Sequence, residues 1–126
     1  MAHKSRLAGM VIDCKTADIR DAAAFWSGAL GLACAIDAED ARYAVLSTPE
    51  GEPKMLLQAV EHDSRVHLDI ETDDKEAEAA RLEALGAKRI AVVKRWTVME
   101  APSGHRFCVV NPQRGDFADN ANDWTF

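Results

Sequence analysis

Three side chains that could do chemistry stand in β-rich runs of this sequence: Gln58, His67 and Cys108. An imidazole such as that of His67 can bind a metal ion, transfer a proton or hydrogen-bond a ligand. A thiol beside an imidazole can act as a nucleophile or hold zinc, yet most free cysteines are small buried side chains. We therefore interpret these three residues first as the polar lining of a ligand-binding cavity.

Alternation along two of these runs predicts which side chains share a face. In residues 65–71, the apolar side chains expected to pack under a helix are Val66, Leu68 and Ile70. The polar side chains that then face a cavity are His67, Asp69 and Glu71. In residues 106–110, Phe107 and Val109 are the helix-facing candidates, which places Cys108 on the cavity side.

Two segments show the three- and four-residue apolar spacing of helices that pack on such strands. The first runs from about Asp18, a suitable N-cap, to Leu30, and Gly31 follows as its stop. The second runs over about residues 74–85 and ends before Gly86. Each helix is expected to cover one group of strands and so to fix the direction of their polar side chains.

The two helical segments belong to a duplicated unit. Gly31 and Gly86 lie 55 residues apart, and so do Asp18 and Asp73. Similarity at a fixed offset indicates an internal repeat. The predicted organisation is one domain over residues 1–126, with repeats at about 7–60 and 65–112 and a tail at 113–126.

Each repeat has the order strand, helix and three strands, which predicts an α+β fold of two βαβββ units. The predicted strands are 10–15, 32–37, 42–48, 53–60, 65–71, 88–93, 96–101 and 106–111. No linker rich in glycine or proline separates the repeats. We therefore expect them to share one core.

This order of elements and certain short segments resemble the vicinal oxygen chelate superfamily, in its glyoxalase-like branch. The segments that carry the resemblance are 12–14 (Ile-Asp-Cys), 24–26 (Ala-Phe-Trp), 66–70 (Val-His-Leu-Asp-Ile) and 101–110 (from Ala-Pro-Ser-Gly). The resemblance implies a curled, eight-stranded mixed sheet around a cup, with the helices outside. It also implies homodimers, and in some members one divalent ion held by His and Glu or Gln from the first and last strands of each repeat.

The metal site implied by the resemblance is incomplete in this sequence. His67 matches the metal-binding histidine of the second repeat and is the only plausible ligand by type and place. The first strand offers only Gly9, Met10, Val11 and Ile12, Cys108 stands where the last strand usually has Glu, and the amide of Gln58 is a weak ligand. We therefore expect no metal ligand set and no cofactor, although a divalent ion at His67, or zinc with the thiolate, stays open.

Aromatic residues suit a planar organic ligand in such a cup. Trp96 and Glu100 are expected at its rim, and with Gln58, His67 and Cys108 they complete the predicted ligand-binding set. Trp26 is expected in helix–sheet packing. Trp124 and Phe126 end a polar tail, which suggests that they dock over the cavity or onto a partner chain.

Composition excludes several partner classes. The net charge of −6, without a basic stripe, argues against nucleic acid. No apolar run reaches about 18 residues, which argues against a membrane span. Three widely spaced cysteines favour a reducing cytoplasm.

Two groups of charged residues receive no functional role. The residues assigned to the solvated face of the second helix are Glu76, Glu78, Arg81 and Glu83. The histidines placed in the terminus, a connection and a turn are His3, His62 and His105.

Three functions remain open at this point. The first is binding of a small organic molecule in the cup without the usual metal site. The second is a metal-dependent lyase, isomerase or dioxygenase that uses His67. The third is an interaction subunit with a filled cavity.

Overall fold

The computed structural model describes residues 2–125, so Phe126 lies outside the described residues. Nine strands form one mixed sheet with the order β2-β3-β4-β1-β5-β8-β7-β6, and β9 pairs with β1. The strands are β1 (His3–Lys15), β2 (Cys34–Ile36), β3 (Tyr43–Leu46), β4 (Lys54–Val60), β5 (Arg65–Thr72), β6 (Lys88–Val93), β7 (Trp96–Glu100), β8 (Arg106–Val110) and β9 (Asn122–Trp124). The helices are α1 (Ile19–Leu30), α2 (Lys75–Ala84) and α3 (Phe117–Asn120). The predicted mixed α+β fold is confirmed.

Residues 9–67 form one compact unit. Its strand β1 runs parallel to β4, with Val11 opposite Leu56, and β3 is antiparallel to β4. Helix α1 begins where the Asp18 side chain accepts a hydrogen bond from the Arg20 N–H, and it ends at Gly31 in the left-handed conformation. The buried residues between helix and strands are Ile19, Ala23, Ala44, Leu46 and Leu57, with Trp26 packed against them as predicted.

Residues 2–8 and 68–125 belong to the other compact unit. Strand β5 runs parallel to β8, and β7 is antiparallel to β8 and to β6. Helix α2 begins where the Asp74 carboxylate accepts from the Ala77 N–H. The buried residues between helix and strands are Ala79 and Leu82 on α2, Met99 on β7 and Val109 on β8. Ile70 and Phe107 pack beside them.

Two predictions about side-chain environments on β5 are wrong. Val66 and Leu68 were expected under a helix, yet 54% and 45% of their surfaces are exposed. Only Ile70 of that apolar series packs against the core beneath α2. Alternation predicts which side of the strand a residue occupies, but it does not predict how much of that side is covered.

The first and last described residues of the chain pair with one another. β1 begins at His3 instead of Met10, and β9 lies antiparallel to its first residues, with His3 opposite Trp124. The Trp124 indole N–H donates to Ser5 Oγ at 2.8 Å, and the Arg81 guanidinium lies 4.0 Å from the ring centroid. Trp124 thus docks within its own chain, on β1 and α2.

One carboxylate on α2, that of Glu78, is buried, although the sequence predicted that it faces solvent. Glu78 is fully buried, and its Oε1 lies 2.7 Å from His3 Nε2 and accepts from Arg81 Nε at 2.8 Å. His3 is itself buried, although no role was assigned to it. Both Glu78 and Arg81 were wrongly placed in solvent, because the first residues of β1 and the tail cover this part of α2.

A second carboxylate, Glu71, joins the tail to β1 and β5. It is fully buried and accepts hydrogen bonds from Arg6 Nε at 2.7 Å and from Arg114 Nε at 3.2 Å. The backbone N–H groups of Gln113 and Arg114 also donate to it. Burial would raise the pKa of Glu71, but these donors outweigh burial and hold the pKa below its ordinary value. Glu71 therefore holds Gln113 and Arg114, at the start of the tail, against β5 by hydrogen bonds.

None of the helices formed by residues 2–125 has the length and apolar character needed to cross a lipid bilayer.

A close approach of two strands makes Gly9 sensitive to substitution. A Cβ at Gly9 would lie 2.2 Å from the Lys54 carbonyl oxygen on the paired strand β4. We predict that Gly9→Ala lowers the free energy of unfolding by about 2 kcal/mol or more, measured by urea denaturation. The matched control is Gly28→Ala in α1, where no atom lies within 4 Å of the added Cβ. That variant should be neutral or gain up to about 1 kcal/mol; equal effects of the two changes would contradict the strand contact.

The buried Glu78 should make stability depend on acid pH. Burial would raise the pKa of Glu78, but hydrogen bonds from Arg81, His3 and Ser5 outweigh it and hold the pKa below its ordinary 4.5. Because the pKa is lower in the folded state, the stabilisation is complete above the unfolded value and is lost as the pH falls through the folded value.

We predict that Glu78→Gln removes this part of the acid dependence and costs about 2 kcal/mol at neutral pH. The measurement is urea unfolding from pH 7 down into the acid range below 4.5. Glu61→Gln, at an exposed position, is the control and should follow the wild type. A Glu78→Gln curve parallel to the wild type throughout would refute the assignment.

Candidate functional site: the Asp13–His67 pair and its neighbours

The central contact of the candidate site joins the carboxylate of Asp13 on β1 to the imidazole of His67 on β5. Asp13 Oδ2 lies 2.9 Å from His67 Nδ1, and the side chains are only 3% and 13% exposed. A carboxylate acceptor assigns the proton of this contact to Nδ1. For a neutral imidazole this assignment fixes both the tautomer and the direction of the ring.

Basic side chains surround the buried Asp13 carboxylate. Arg65 Nε lies 3.8 Å and His62 Nε2 lies 4.0 Å from Asp13 Oδ2. His62 was given no role from the sequence, and its place beside Asp13 corrects that assignment.

Strand register puts Asp69 and Cys108 opposite one another on the parallel strands β5 and β8. His67 comes two residues before Asp69 on β5, so it lies on the same side of that strand. A carboxylate oxygen of Asp69 and the Cys108 Sγ lie within 4.8 Å of one another. Val109 packs beneath α2, as predicted, which leaves Cys108 on the opposite side.

The other residues predicted to bind ligand occupy separate positions. Gln58 lies on β4, and its side-chain amide donates to the Tyr43 hydroxyl at 3.1 Å. Trp96 and Glu100 lie at the two ends of β7. Glu100 Oε2 is 3.3 Å from Arg106 Nε. Their part in ligand binding stays a prediction.

Sequence reasoning missed Asp13 as a partner of His67. Asp13 follows directly after Ile12, the last first-strand residue considered as a ligand. The signal was present in the Ile12-Asp13-Cys14 segment, because a carboxylate flanked by apolar residues in a buried strand requires a partner. Asp69 was placed on the cavity face but was not considered as a ligand.

The other two cysteines differ from Cys108 in their surroundings. Burial raises the pKa of the Cys14 thiol, and the nearby Asp13 charge raises it further. Burial also raises the pKa of the Cys34 thiol. Both thiols are therefore held protonated at neutral pH and are poor nucleophiles or ligands.

The mixed sheet of two βαβββ repeats is the fold of the vicinal oxygen chelate superfamily. The family model described as glyoxalase-like domain matches residues 9–110. The chain therefore belongs to the glyoxalase-like domain family. No curated protein shows significant sequence similarity.

Solved structures show the same fold at low sequence identity. The methylmalonyl-CoA epimerase of Mycobacterium tuberculosis is 17% identical, with a TM-score of 0.59 over 86% of this chain and 88% of the epimerase chain. A hypothetical protein of Bacillus halodurans is also 17% identical, with a TM-score of 0.55 over 87% of this chain and 97% of that chain. At this identity the likeness concerns the fold alone.

The divalent ion that many relatives use can be tested against the residues present. A hard ion with oxygen and nitrogen ligands would need donors from β1, β4, β5 and β8. On β1, the Asp13 carboxylate is hydrogen-bonded to His67. On β4, the Gln58 amide is hydrogen-bonded to Tyr43. On β8, Cys108 offers only a soft sulfur. The usual ligand set therefore does not fit this chain.

The tautomer of His67 can be measured directly. We predict that long-range ¹H–¹⁵N NMR spectra at neutral pH show the His67 proton on Nδ1, because Asp13 accepts it. Asp13→Asn should weaken this preference, since an amide can donate as well as accept. Asp123→Asn, at an exposed site, should leave the His67 signals unchanged. A wild-type spectrum with the proton on Nε2 would rule out the contact.

Proposed function

We propose that this glyoxalase-like protein binds a small organic molecule against the His67 face of β5, without the hard-ion site of its relatives. The observation that supports this is the 2.9 Å contact between buried Asp13 and His67. A charged group removed from water is costly unless it is paired. Here the pairing holds the imidazole in a defined orientation.

The chemistry of this nitrogen defines the ligand class. With its proton on Nδ1, His67 presents a lone pair at Nε2, which can accept a hydrogen bond or a proton from a ligand hydroxyl or acidic C–H group. Asp13 would stabilise the imidazolium formed by such a transfer, as a buried carboxylate does for other histidine bases. The ligand is therefore a small molecule with a hydroxyl, an enol or an acidic C–H group, and Trp96 is proposed to contact its planar part.

Assembly and location belong to the same proposal. Val66 and Leu68 are two large apolar side chains with about half of their surfaces exposed on β5. A homodimer would cover such residues, and the reducing conditions of the cytoplasm suit the three free thiols. Nucleic acid and membrane are not proposed as partners.

The test uses a defined panel of ligands with chelator present. Saturation-transfer NMR would measure binding of small 2-oxo acids, catechols and aromatic hydroxy acids to the wild type in EDTA. We predict that at least one of these classes binds, and that His67→Ala weakens its binding about tenfold or more, as expected for loss of one buried polar contact.

The matched control is His105→Ala. His105 is an exposed histidine in a turn, where its Nδ1 lies 2.6 Å from Ser103 Oγ. This variant should bind like the wild type. Binding that is indifferent to His67, or absence of binding by the whole panel, would reject the proposal. Binding that appears only after Mg²⁺ or Mn²⁺ is added would favour the metal-dependent lyase, isomerase or dioxygenase instead.

A further inference from the structure

Strand β6 carries an exposed apolar run at one end of the sheet. All six of its residues are exposed, and the last four are apolar: Ile90, Ala91, Val92 and Val93. Val92 alone has 77% of its surface exposed. Among the strands formed by residues 2–125, β6 stands at one end of the order, beside β7. The outer side of such an edge strand presents backbone N–H and C=O groups that can pair with another strand.

The charges around this apolar run are basic at both of its ends. Lys88 and Arg89 begin the strand, and Lys94 and Arg95 follow it. The Arg89 guanidinium is bonded to two carboxylates of α2, whereas Lys88 is exposed. Antiparallel pairing of β6 with β6 of another copy would bring these basic pairs together, and like charges opposite one another are unfavourable. The charges of β6 therefore suit an edge strand with acidic neighbours.

Strand β2 stands at the other end of the strand order and has acidic neighbours. Its residues Ala35 and Ile36 are exposed and apolar. The loop that follows contains three acidic residues, Asp37, Glu39 and Asp40. The Asp37 carboxylate accepts hydrogen bonds from the backbone N–H groups of Glu39 and Asp40, which folds the loop back at the end of the strand. The two ends of the sheet order thus carry edge strands of opposite charge.

We propose that β2 of one copy of this chain pairs antiparallel with β6 of a second copy. In this direction the end of β2 meets the start of β6, so that Asp37 and Glu39 lie near Lys88. The exposed apolar residues of the two strands then lie against each other. Parallel pairing would bring the acidic loop to Lys94 instead, where the backbone is left-handed (φ 53°) and the strand has ended. The antiparallel direction is therefore the one that uses both charge and strand pairing.

This contact is heterologous, because the two copies contribute different surfaces. Two copies joined by one such contact still have one β2 and one β6 available for a further copy. The contact is also small, since β2 has three residues and β6 has six. Small interfaces are typical of weak, transient association. We therefore expect assembly that grows with protein concentration.

The inference goes beyond the proposed function and uses other residues. Ligand binding depends on His67, and the homodimer proposed above would cover Val66 and Leu68. Failure of the edge contact would leave both of those proposals standing. Failure of the ligand panel would likewise leave the edge contact standing.

The main experiment mixes two variants, each with one edge blocked. Val92→Asp puts a negative charge on β6, and Ile36→Lys puts a positive charge on β2, so that each change opposes the charge of the partner edge. Sedimentation velocity at low salt measures the mean mass. We expect the wild type to grow heavier with concentration, each variant alone to stay at a baseline, and their equimolar mixture to rise above it. Any dimer formed through Val66 and Leu68 is common to all samples and sets this baseline.

Charge reversal tests the part played by the acidic loop. Lys88→Glu and Glu39→Lys should each weaken the association about five- to tenfold, since an attraction between exposed charges becomes a repulsion. A chain with both changes should regain most of the wild-type association. The matched control is Glu50→Lys, which makes the same charge change in an exposed turn and should behave like the wild type. Added NaCl should weaken the wild-type association, because salt screens exposed charges.

Three outcomes would overturn the contact. The first is a wild-type mass that does not change with concentration or salt. The second is a mixture of Val92→Asp and Ile36→Lys that is no heavier than either variant alone. The third is a Lys88→Glu variant that behaves like Glu50→Lys. Circular dichroism verifies folding, and Val92→Asn and Ala35→Lys replace the two blocked variants if either does not fold.

Discussion

The hydrogen bond between Asp13 and His67 is the constraint on which the arrangement of the candidate site depends. It pairs a carboxylate that is almost fully buried, and a buried polar group without a partner is costly. In return the carboxylate orients the imidazole. The proposed ligand contact depends on that orientation.

Repeat and alternation made much of the fold predictable from the sequence. Those rules are local: an apolar spacing indicates α1 and α2, a glycine after each helix marks its end, and the two-residue period puts Cys108 on the side opposite Val109. They need only neighbouring residues in one strand or helix. For that reason the order of elements and most strand boundaries agree with the structure.

Contacts between residues far apart in the sequence were not predictable in the same way. Asp13 and His67 are 54 residues apart, and His3 and Glu78 are 75 residues apart. Nothing in the local pattern of α2 distinguishes the buried Glu78 from its exposed neighbour Glu76; only the packing of the N-terminal residues and Trp124 does. Likewise, strand alternation predicts the side of β5 on which Val66 and Leu68 lie, but not the fraction of each residue that is buried.

The tight contact at Gly9 limits which residues position 9 of β1 can take. With the Lys54 carbonyl oxygen only 2.2 Å from where a Cβ would stand, β1 cannot accept any side chain at that position without moving away from β4. A histidine or glutamate could not be acquired there by one substitution in an otherwise unchanged sheet. New side-chain chemistry on β1 would therefore have to arise at other positions of that strand.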